Sequence, residues 1–368
     1  MEEHGGRAVL ATVVRVRGSA YRRPGARLLF TADGRRAGSV SGGCLEGDLI
    51  KKGWWLTENG RRVVTYGTGS NEDGTFEFGL GCNGVIDLMV ERLTPSAGKG
   101  VRRLIEECRS RRQAGLIATV VEAPAGASVR ATSRLLLFPG GTSETDIDSP
   151  ELIAKIRGDA ETIFRLKESA CIRYQRRGSA DVFLEFIGPP ARLVIFGGGA
   201  DAVPLAIFST ALGWDVVVVD HRSVQATASR FRHPSITVLQ STDDLANVPL
   251  EPDSMAVVMT HSYERDRVLL RSLLRRPLRY LGVLGPRERT RRLLAELANG
   301  APQNGSLHFP VGLDIGSESP VTTALAIAAE MQAVLAGRSG GMLRDRPGPI
   351  HKDVPRVRTR QAAGAVGM

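Results

Sequence analysis

The sequence lacks several features that would fix its class at once. Its four cysteines (Cys44, Cys82, Cys108 and Cys171) form no C-x-x-C pair, so neither a zinc knuckle nor a disulfide framework is indicated. No run of about 18 apolar residues occurs, so no membrane span is expected. The first residues do not resemble a signal peptide. We therefore expect a reduced, cytoplasmic protein.

Aromatic residues are also scarce, at 5% of the 368 residues. The chain is basic, with a net charge of +10, and a basic protein is a candidate for nucleic-acid binding. However, few aromatics lie among the charges and no nucleic-acid motif is present. Solvated helix faces and an anionic small ligand account for the charge better, so no nucleic-acid partner is expected.

A glycine-rich stretch with a thiol stands out near the N-terminus. Ser41, Gly42, Gly43 and Cys44 directly precede an apolar helical pattern. Glycines let backbone N–H groups approach a ligand, and the N-terminus of the following helix favours an anion. A cysteine in that first turn should be more of a thiolate than a free cysteine. The alternative is a turn with a buried cysteine, since unpaired cysteines are among the most buried residues.

A weak internal repeat covers the first half of the chain. Ala11-Thr12-Val13-Val14 recurs as Ala118-Thr119-Val120-Val121, and Arg27-Leu28-Leu29 recurs at the same offset as Arg134-Leu135-Leu136. The second copy has no counterpart of the Cys44 loop or of a second glycine-rich loop that carries Cys82. Both loops then go beyond what the shared scaffold needs, which favours a function for them. Chance similarity of short strands is the alternative.

Regular elements can be placed by their apolar patterns. Cys108 falls in a helix and Cys171 in a strand, so both are expected to be packing residues. We expect helices from Cys44 to about residue 57, at 101–114, at 203–212 and at 320–336. Strands are expected at 8–16, 27–30, 63–66, 85–90, 193–196, 216–219, 236–239, 255–260 and 280–284.

The second half carries a dinucleotide-binding fingerprint. A buried strand leads into Gly197, Gly198 and Gly199, an apolar helix follows, and the next strand ends at Asp220. The glycines would admit a pyrophosphate to the helix N-terminus, and the acid would hold a ribose hydroxyl pair. A fold that keeps the turn without a nucleotide is the alternative. Asp201 places a negative charge at the helix start, which disfavours a phosphate.

Polar residues follow two later strands of this half. Because ligands of open α/β sheets bind at the carboxyl ends of strands, Gly197–Gly199, Asp220, His261 and Arg287 should converge on one crevice. His261 could donate a proton or contact a ligand, or could be an ordinary loop histidine. Arg287 is expected to meet an anion. Three further arginines are expected on the solvated face of a helix: Arg289, Arg291 and Arg292.

The sequence therefore predicts an α/β protein with two domains and a tail. An N-terminal α+β domain built on a degenerate internal repeat covers 1–188. A Rossmann-like parallel-sheet domain covers 189–336. The remaining residues, 337–368, form a basic tail rich in glycine, proline and arginine, which is expected to be disordered.

Eight motifs in this order resemble the xanthine dehydrogenase accessory (XdhC/CoxI) family, over roughly residues 8–336. They are ATVVRVRGSAYRRPGARLLF, GSVSGGCLEGDL, FGLGCNGVIDLMVE, LVIFGGGADAV, VVVVDHR, VMTHSYERD, YLGVLGPRERTRRLL and PVGLDIGSESPVTTALAIAAEM.

The resemblance implies a maturation factor for molybdenum hydroxylases. Such a chaperone binds the molybdenum cofactor (molybdopterin), supports replacement of an oxo ligand by sulfide, and delivers the cofactor to an apo-enzyme of the xanthine dehydrogenase, aldehyde oxidase or carbon monoxide dehydrogenase kind. A cysteine desulfurase is the implied second partner. A dinucleotide form of the cofactor, NAD(P) or another nucleotide in the Rossmann half, and a homodimer stay open as options. Family members often carry His where this chain has Asp201.

The candidate residues suit this cargo. The cofactor is anionic, so Arg22, Arg23 and the amides of Ser41, Gly42 and Gly43 are candidate contacts. Thiolates suit molybdenum, so Cys44 and Cys82 are the candidate reactive residues, with Cys44 also a candidate metal ligand.

Two other functions remain open. An NAD(P)-dependent oxidoreductase would use His261 as its acid–base group. A scaffold that only docks the client would need neither cysteine. We favour the maturation chaperone over a turnover enzyme.

Overall fold

A computed structural model of the chain describes residues 8–67, 76–77, 84–94, 97–124, 129–174, 180–240, 245–297, 306–347 and 358–360. The chain divides into two units, Met1–Pro189 with His351–Met368 and Pro190–Ile350, here called unit 1 and unit 2.

Unit 1 alternates short strands with three helices. Its elements are β1 (Ala8–Arg17), β2 (Arg27–Thr31), β3 (Arg36–Gly38), α1 (Cys44–Leu56), β4 (Arg62–Gly67), β5 (Phe76–Glu77), β6 (Val85–Leu93), α2 (Lys99–Arg111), β7 (Gly115–Glu122), β8 (Arg134–Leu137), β9 (Ser143–Thr145), α3 (Pro150–Leu166), β10 (Ala170–Tyr174) and β11 (Ala180–Ile187).

The strands of unit 1 form two sheets with the same order. The first sheet runs β3-β2-β1-β6-β4-β5, and the second contains β10-β11-β7-β8-β9. In the first sheet, β1 lies between β2 and β6; in the second sheet, β7 lies between β8 and β11. All four of these pairings are antiparallel. The internal repeat predicted from the sequence is therefore confirmed as two copies of one sheet-and-helix motif.

Alternation along β1 explains how each sheet packs. Val9, Ala11 and Val13 face α1, where they pack with Leu45 and Leu49. The second copy repeats this arrangement, with its α3 packed on β7, β8 and β11. The opposite faces of the two sheets meet through four buried side chains, Val14, Met89, Val121 and Phe183. Successive residues of a strand point to opposite faces of its sheet. Each sheet can therefore pack against its helix on one face and against the other sheet on the opposite face.

Unit 2 is a parallel sheet with helices on both faces. Its elements are β12 (Arg192–Phe196), α4 (Ala202–Ala211), β13 (Asp215–Asp220), β14 (Ile236–Gln240), β15 (Met255–Val258), α5 (Tyr263–Leu273), β16 (Tyr280–Val283), α6 (Arg287–Glu296), β17 (Leu307–His308) and α7 (Pro320–Leu335).

The strand order of unit 2 is β14-β13-β12-β15-β16-β17, and every neighbouring pair is parallel. Numbered from its own first strand, this is the order 3-2-1-4-5-6 of the Rossmann fold. The apolar residues of α4 and α7 cover one face, and those of α5 and α6 cover the other. The order reverses between β12 and β15, so their carboxyl ends form the crevice where this fold binds ligands.

The C-terminal residues contribute two short elements. Leu343–Asp345 form a 3-10 turn, and β18 (Arg358–Arg360) pairs in parallel with β10. Both lie in the segment predicted to be a disordered tail, and the disorder of its other residues stays a prediction. No helix among the described residues has both the length and the apolar content needed to cross a membrane.

Candidate functional site

Three segments meet at one end of the first sheet of unit 1. The backbone at Gly84, two residues after Cys82, lies so close to Ser19 that a Cβ atom at Gly84 would be 2.1 Å from the Ser19 carbonyl oxygen. The ring of Tyr21 lies 3.7 Å from the corresponding position at Gly42. The loop between β1 and β2 therefore contacts both the Cys44 loop and the start of β6.

That connecting loop carries the two arginines predicted to contact the cargo. Both Arg22 and Arg23 are exposed, directly after Tyr21, whose ring rests on Gly42. Exposed guanidinium groups with planar sets of N–H donors suit phosphate and carboxylate groups. The structure thus places these arginines in the same loop that contacts the Cys44 loop.

Glu46 organises the Cys44 loop from inside. Its carboxylate accepts hydrogen bonds from the backbone N–H groups of Val40 (3.0 Å), Ser41 (2.8 Å) and Gly43 (3.0 Å). The hydroxyls of Ser39, at 2.9 Å, and Ser41 donate to it as well. This arrangement caps α1, since an acid three residues after the N-cap satisfies free N–H groups before the helix. Gly43 adopts φ 123°, which a residue with a side chain rarely takes.

These contacts keep Glu46 ionised. Burial alone would raise its pKa, but the hydrogen bonds from Ser41 and Ser39 outweigh burial and hold the pKa at about 2. The N–H groups of Val40, Ser41 and Gly43 are thus directed at a carboxylate of the protein itself. The prediction that amides of this loop cradle an anion therefore needs correction for Ser41 and Gly43, whose N–H groups are engaged. Anion binding by Arg22 and Arg23 stays a prediction.

The cysteines divide as the sequence predicts, as far as they are described. Cys108 and Cys171 are buried, and burial raises the pKa of each thiol to about 11. Their predicted role as packing residues is confirmed. The backbone of Cys44 begins α1, but its side chain and all of Cys82 lie outside the described part of the chain. Their predicted roles, including metal ligation by Cys44, stay predictions.

The glycine turn of unit 2 has no room for a side chain at its first position. Gly197 adopts φ 119°, and a Cβ atom there would lie 2.3 Å from the carbonyl oxygen of Met259, so only glycine fits. The N–H of Gly198 donates to the Asp220 carboxylate at 2.7 Å. Burial works to raise the pKa of Asp220, but hydrogen bonds from Arg222 and Gly198 outweigh it and hold the pKa at about 2.

His261 lies over this turn, as the sequence predicts. Its ring is 3.7 Å from the position that a Cβ atom would take at Gly199, and its backbone adopts φ 60°. Its Nε2 atom lies 3.4 Å from the Asp201 carboxylate. The carboxylate of Asp201, expected to disfavour a phosphate, thus lies next to the imidazole of His261. A non-glycine residue in this conformation indicates a local constraint of the kind found at functional sites.

The arginines of α6 differ from their prediction in one position. Arg287 is exposed at the first turn of α6, after the strand next to β15. Arg289, expected on a solvated face, instead forms an ion pair at 2.6 Å with Asp266, whose side chain is 1% exposed. Asp266 also accepts from Thr260 at 2.6 Å, next to His261. Sequence reasoning missed Asp266 and Glu46, although acidic residues in the first turn of a helix are a recognisable signal.

Within the described residues, no group of three or more His, Cys, Asp or Glu side chains is placed to hold a metal ion. Because the Cys44 side chain and Cys82 are outside that part, this finding does not bear on them.

Comparisons with known proteins agree with this architecture. A family model described as "XdhC and CoxI family" matches residues 1–67, and one described as "XdhC Rossmann domain" matches residues 193–331. A Bacillus subtilis (strain 168) protein, named as a probable subunit of xanthine dehydrogenase, is 33% identical over 329 residues, which are 88% of this chain and 92% of that protein.

Two further relatives extend over most of the chain. The molybdenum cofactor insertion chaperone PaoD of Escherichia coli (strain K12) is 25% identical over 333 residues, 89% of this chain and 83% of PaoD. A crystal structure described as a xanthine dehydrogenase from Bacillus halodurans superposes with a TM-score of 0.73 at 28% identity, covering 94% of this chain and 96% of that one.

Proposed function

Because the chain belongs to the XdhC and CoxI family, we propose that it is an accessory protein that binds the molybdenum cofactor and inserts it into an apo molybdenum hydroxylase. The name of PaoD, a relative over most of the chain, supports cofactor insertion. The name of the Bacillus subtilis relative supports a client of the xanthine dehydrogenase kind. Support of sulfuration, with a cysteine desulfurase as second partner, is part of the same proposal.

The observation that carries this proposal is the meeting of three segments at one end of the first sheet. The loop with Arg22 and Arg23 contacts both Gly42 and Gly84, the glycines that lie two residues from Cys44 and Cys82. An anionic, metal-bearing cargo needs cationic contacts and soft ligands in one place. This end of unit 1 brings the chain segments that supply both within reach of each other.

Each group has a separate task in the proposal. Arg22 and Arg23 bind the phosphate of the cofactor. Glu46 accepts hydrogen bonds from the loop N–H groups and so holds the backbone of the Cys44 loop in place. The N-terminus of α1 favours the thiolate form of a cysteine. The thiolate is the form that would ligate molybdenum, or that would accept the sulfane sulfur of a desulfurase persulfide and release the thiolate of that enzyme. The homodimer and the dinucleotide form of the cofactor stay options.

Purification from molybdenum-replete cells tests the proposal. We expect the protein to carry molybdenum and pterin in equal amounts, and the double variant Arg22→Ala/Arg23→Ala to lose most of both. Arg35→Ala, an exposed arginine in the turn between β2 and β3, is the matched control. A protein without pterin, or a double variant that retains it fully, would contradict the proposal. A pterin-free protein that oxidises NAD(P)H would instead favour the oxidoreductase.

A further inference from the structure

Asp220 stands where a Rossmann fold places the acid that binds the ribose hydroxyl pair. Its side chain is 1% exposed. One carboxylate oxygen accepts from the N–H of Arg222 at 2.8 Å and from its Nε at 3.1 Å. The other accepts from the N–H of Gly198 at 2.7 Å and from Arg222 Nη2 at 2.9 Å. A carboxylate offers about four lone-pair sites, so these four bonds saturate it. A ribose hydroxyl pair would have to displace the Arg222 side chain.

Arg222 offers a cationic hydrogen-bond donor beside the anionic Asp220. Its guanidinium is held by Asp220 on one edge, while the side chain is 43% exposed. A guanidinium has five N–H donors in a fixed plane, and Asp220 takes those of Nε and one on Nη2. His221 lies beside it, with Nδ1 3.3 Å from Asp220. A guanidinium fixed in this way is suited to an anion, above all a phosphate.

The turn itself remains suited to a nucleotide. Gly197 is required by the fold, since Met259 fills the space beside it, but the space beside Gly199 is open up to the His261 ring at 3.7 Å. The second independent sign is Gln225, whose backbone borders Gly198. Its Oε1 atom is buried and has no hydrogen-bond partner among the described residues. A buried acceptor without a partner is costly, so Oε1 is a candidate acceptor for a hydroxyl of a ligand bound at this turn.

We propose that unit 2 binds a nucleotide whose ribose carries a phosphate, and that Arg222 recognises this phosphate. Asp220 acts as a positioning residue: it aligns the guanidinium and holds the N–H of Gly198, and it does not bind ribose itself. Discrimination against an unphosphorylated ribose follows, because that ribose must break the Asp220–Arg222 pair. The proposal concerns binding by unit 2 and does not depend on the cargo proposed for unit 1.

Titration of the full-length protein with NADPH and NADH, followed by nucleotide fluorescence, tests this inference. Because charge-assisted bonds to phosphate are strong, we expect NADPH to bind at least about tenfold more tightly than NADH. Calorimetry with 2′,5′-ADP, 5′-ADP and coenzyme A then locates the phosphate, since coenzyme A carries it on the 3′ position. We expect 5′-ADP and inorganic phosphate to compete poorly.

Variants separate recognition from folding. Arg222→Ala should abolish the preference by weakening NADPH binding, whereas Arg222→Lys should retain part of it. Arg291→Ala, an exposed arginine on α6, is the matched control, and thermal melting checks the fold of each variant. Equal affinity for NADPH and NADH, binding of neither, or a preference that survives in Arg222→Ala would overturn the inference. The cargo assay on unit 1 would stand unchanged in each case.

Discussion

In the first copy of the unit 1 repeat, the hydroxyl of Tyr66 donates to Asp48 at 3.0 Å; in the second copy, Tyr174 donates to Asp159 at the same distance. Each bond joins the fourth strand of its copy to the helix that covers the sheet. Both tyrosines are buried. The two copies therefore share this strand-to-helix tie as well as their strand order, so it belongs to the common scaffold.

Ion pairs between the copies follow the same symmetry. Arg27 of the first copy binds Glu185 of the second at 2.7 Å, and the equivalent Arg134 of the second binds Glu91 of the first at 2.8 and 2.6 Å. Arg15 of the first copy binds Glu122 of the second, its counterpart 107 positions later. Each copy thus supplies the partner that the other needs.

Two loops of the first copy differ from their counterparts in the second. The first copy enters its helix through Ser41–Cys44 and the Glu46 network, whereas the second uses Ser149 as a simple cap, with Pro150 next. Between the fourth and last strands, the first copy has residues 68–84 and the second only 175–179. A scaffold that forms without these features in one copy does not require them in the other, which supports the proposal that the cysteine loops serve function.

The largest contrast is expected in thiol reactivity. Iodoacetamide at neutral pH should label Cys44 first and Cys82 second, both at least about a hundredfold faster than Cys108 and Cys171, because only the thiolate reacts. Burial excludes the reagent from the latter two and raises the pKa of each to about 11. Mass spectrometry of a time course measures the four rates. Labelling of Cys171 as fast as Cys44 would remove the contrast between the copies.

The next largest effect is expected from breaking a shared ion pair. Arg134→Met should lower the free energy of unfolding by about 3–5 kcal/mol, because Glu91 is left as an uncompensated buried charge. Urea unfolding of the full chain gives the value. Lys155→Met, which removes a surface pair with Glu151, is the control and should cost less than about 1 kcal/mol. A loss this small in Arg134→Met would mean that the copies do not depend on the crossed pairs.

Glu46→Gln should lower the free energy of unfolding by about 1–3 kcal/mol, because several buried donors lose a charged acceptor. The pKa of Glu46 is lowered from 4.5 to about 2 on folding, so its contribution is present above pH 4.5 and is lost as pH falls toward 2. The stability difference between wild type and variant should therefore shrink between these values.

Chemical unfolding at several pH values measures this difference. Glu151→Gln, in the exposed first turn of α3, is the matched control from the second copy and should show no such trend. A difference between wild type and Glu46→Gln that stays constant down to pH 3 would show that the carboxylate is not held by the loop amides.

The smallest effect is expected at the cap of the second copy. The Ser149 side chain accepts a hydrogen bond from the N–H of Leu152 at 3.3 Å. Ser149→Ala should therefore lower the free energy of unfolding by about 1 kcal/mol. The melting temperature, compared with that of Glu46→Gln, ranks the two caps. If Ser149→Ala lowered the melting temperature more than Glu46→Gln, the Glu46 network would not be the more stabilising of the two helix caps.

The sequence predicted many elements because their signals are local, although it did not predict α3 and α5. The strand expected at 8–16 is Ala8–Arg17, and the helix expected at 320–336 is Pro320–Leu335. Glycine turns and the acid after β13 were found for the same reason. Their spacing is a property of a short segment, and the fold then brings the Gly197–Gly199 turn, Asp220 and His261 together.

Partners chosen by tertiary packing could not be predicted. Arg27 and Glu185 are 158 positions apart, and the sequence around either residue does not indicate that the two form an ion pair. Arg289 was expected to be solvated because its neighbours are charged, yet the packing of α6 beside α5 directs it to Asp266. The capture of the loop amides by Glu46 was local and was still missed, since glycines before a helix suit an external anion equally well.

We propose that the cysteine loops of the first copy act on the cargo and are not needed for the fold. Activation of an apo molybdenum hydroxylase by wild type, Cys44→Ala and Cys171→Ala tests it most directly, with the melting temperature of each variant measured alongside. We expect Cys44→Ala to abolish activation without lowering the melting temperature, and Cys171→Ala still to activate. Full activation by Cys44→Ala would contradict the claim.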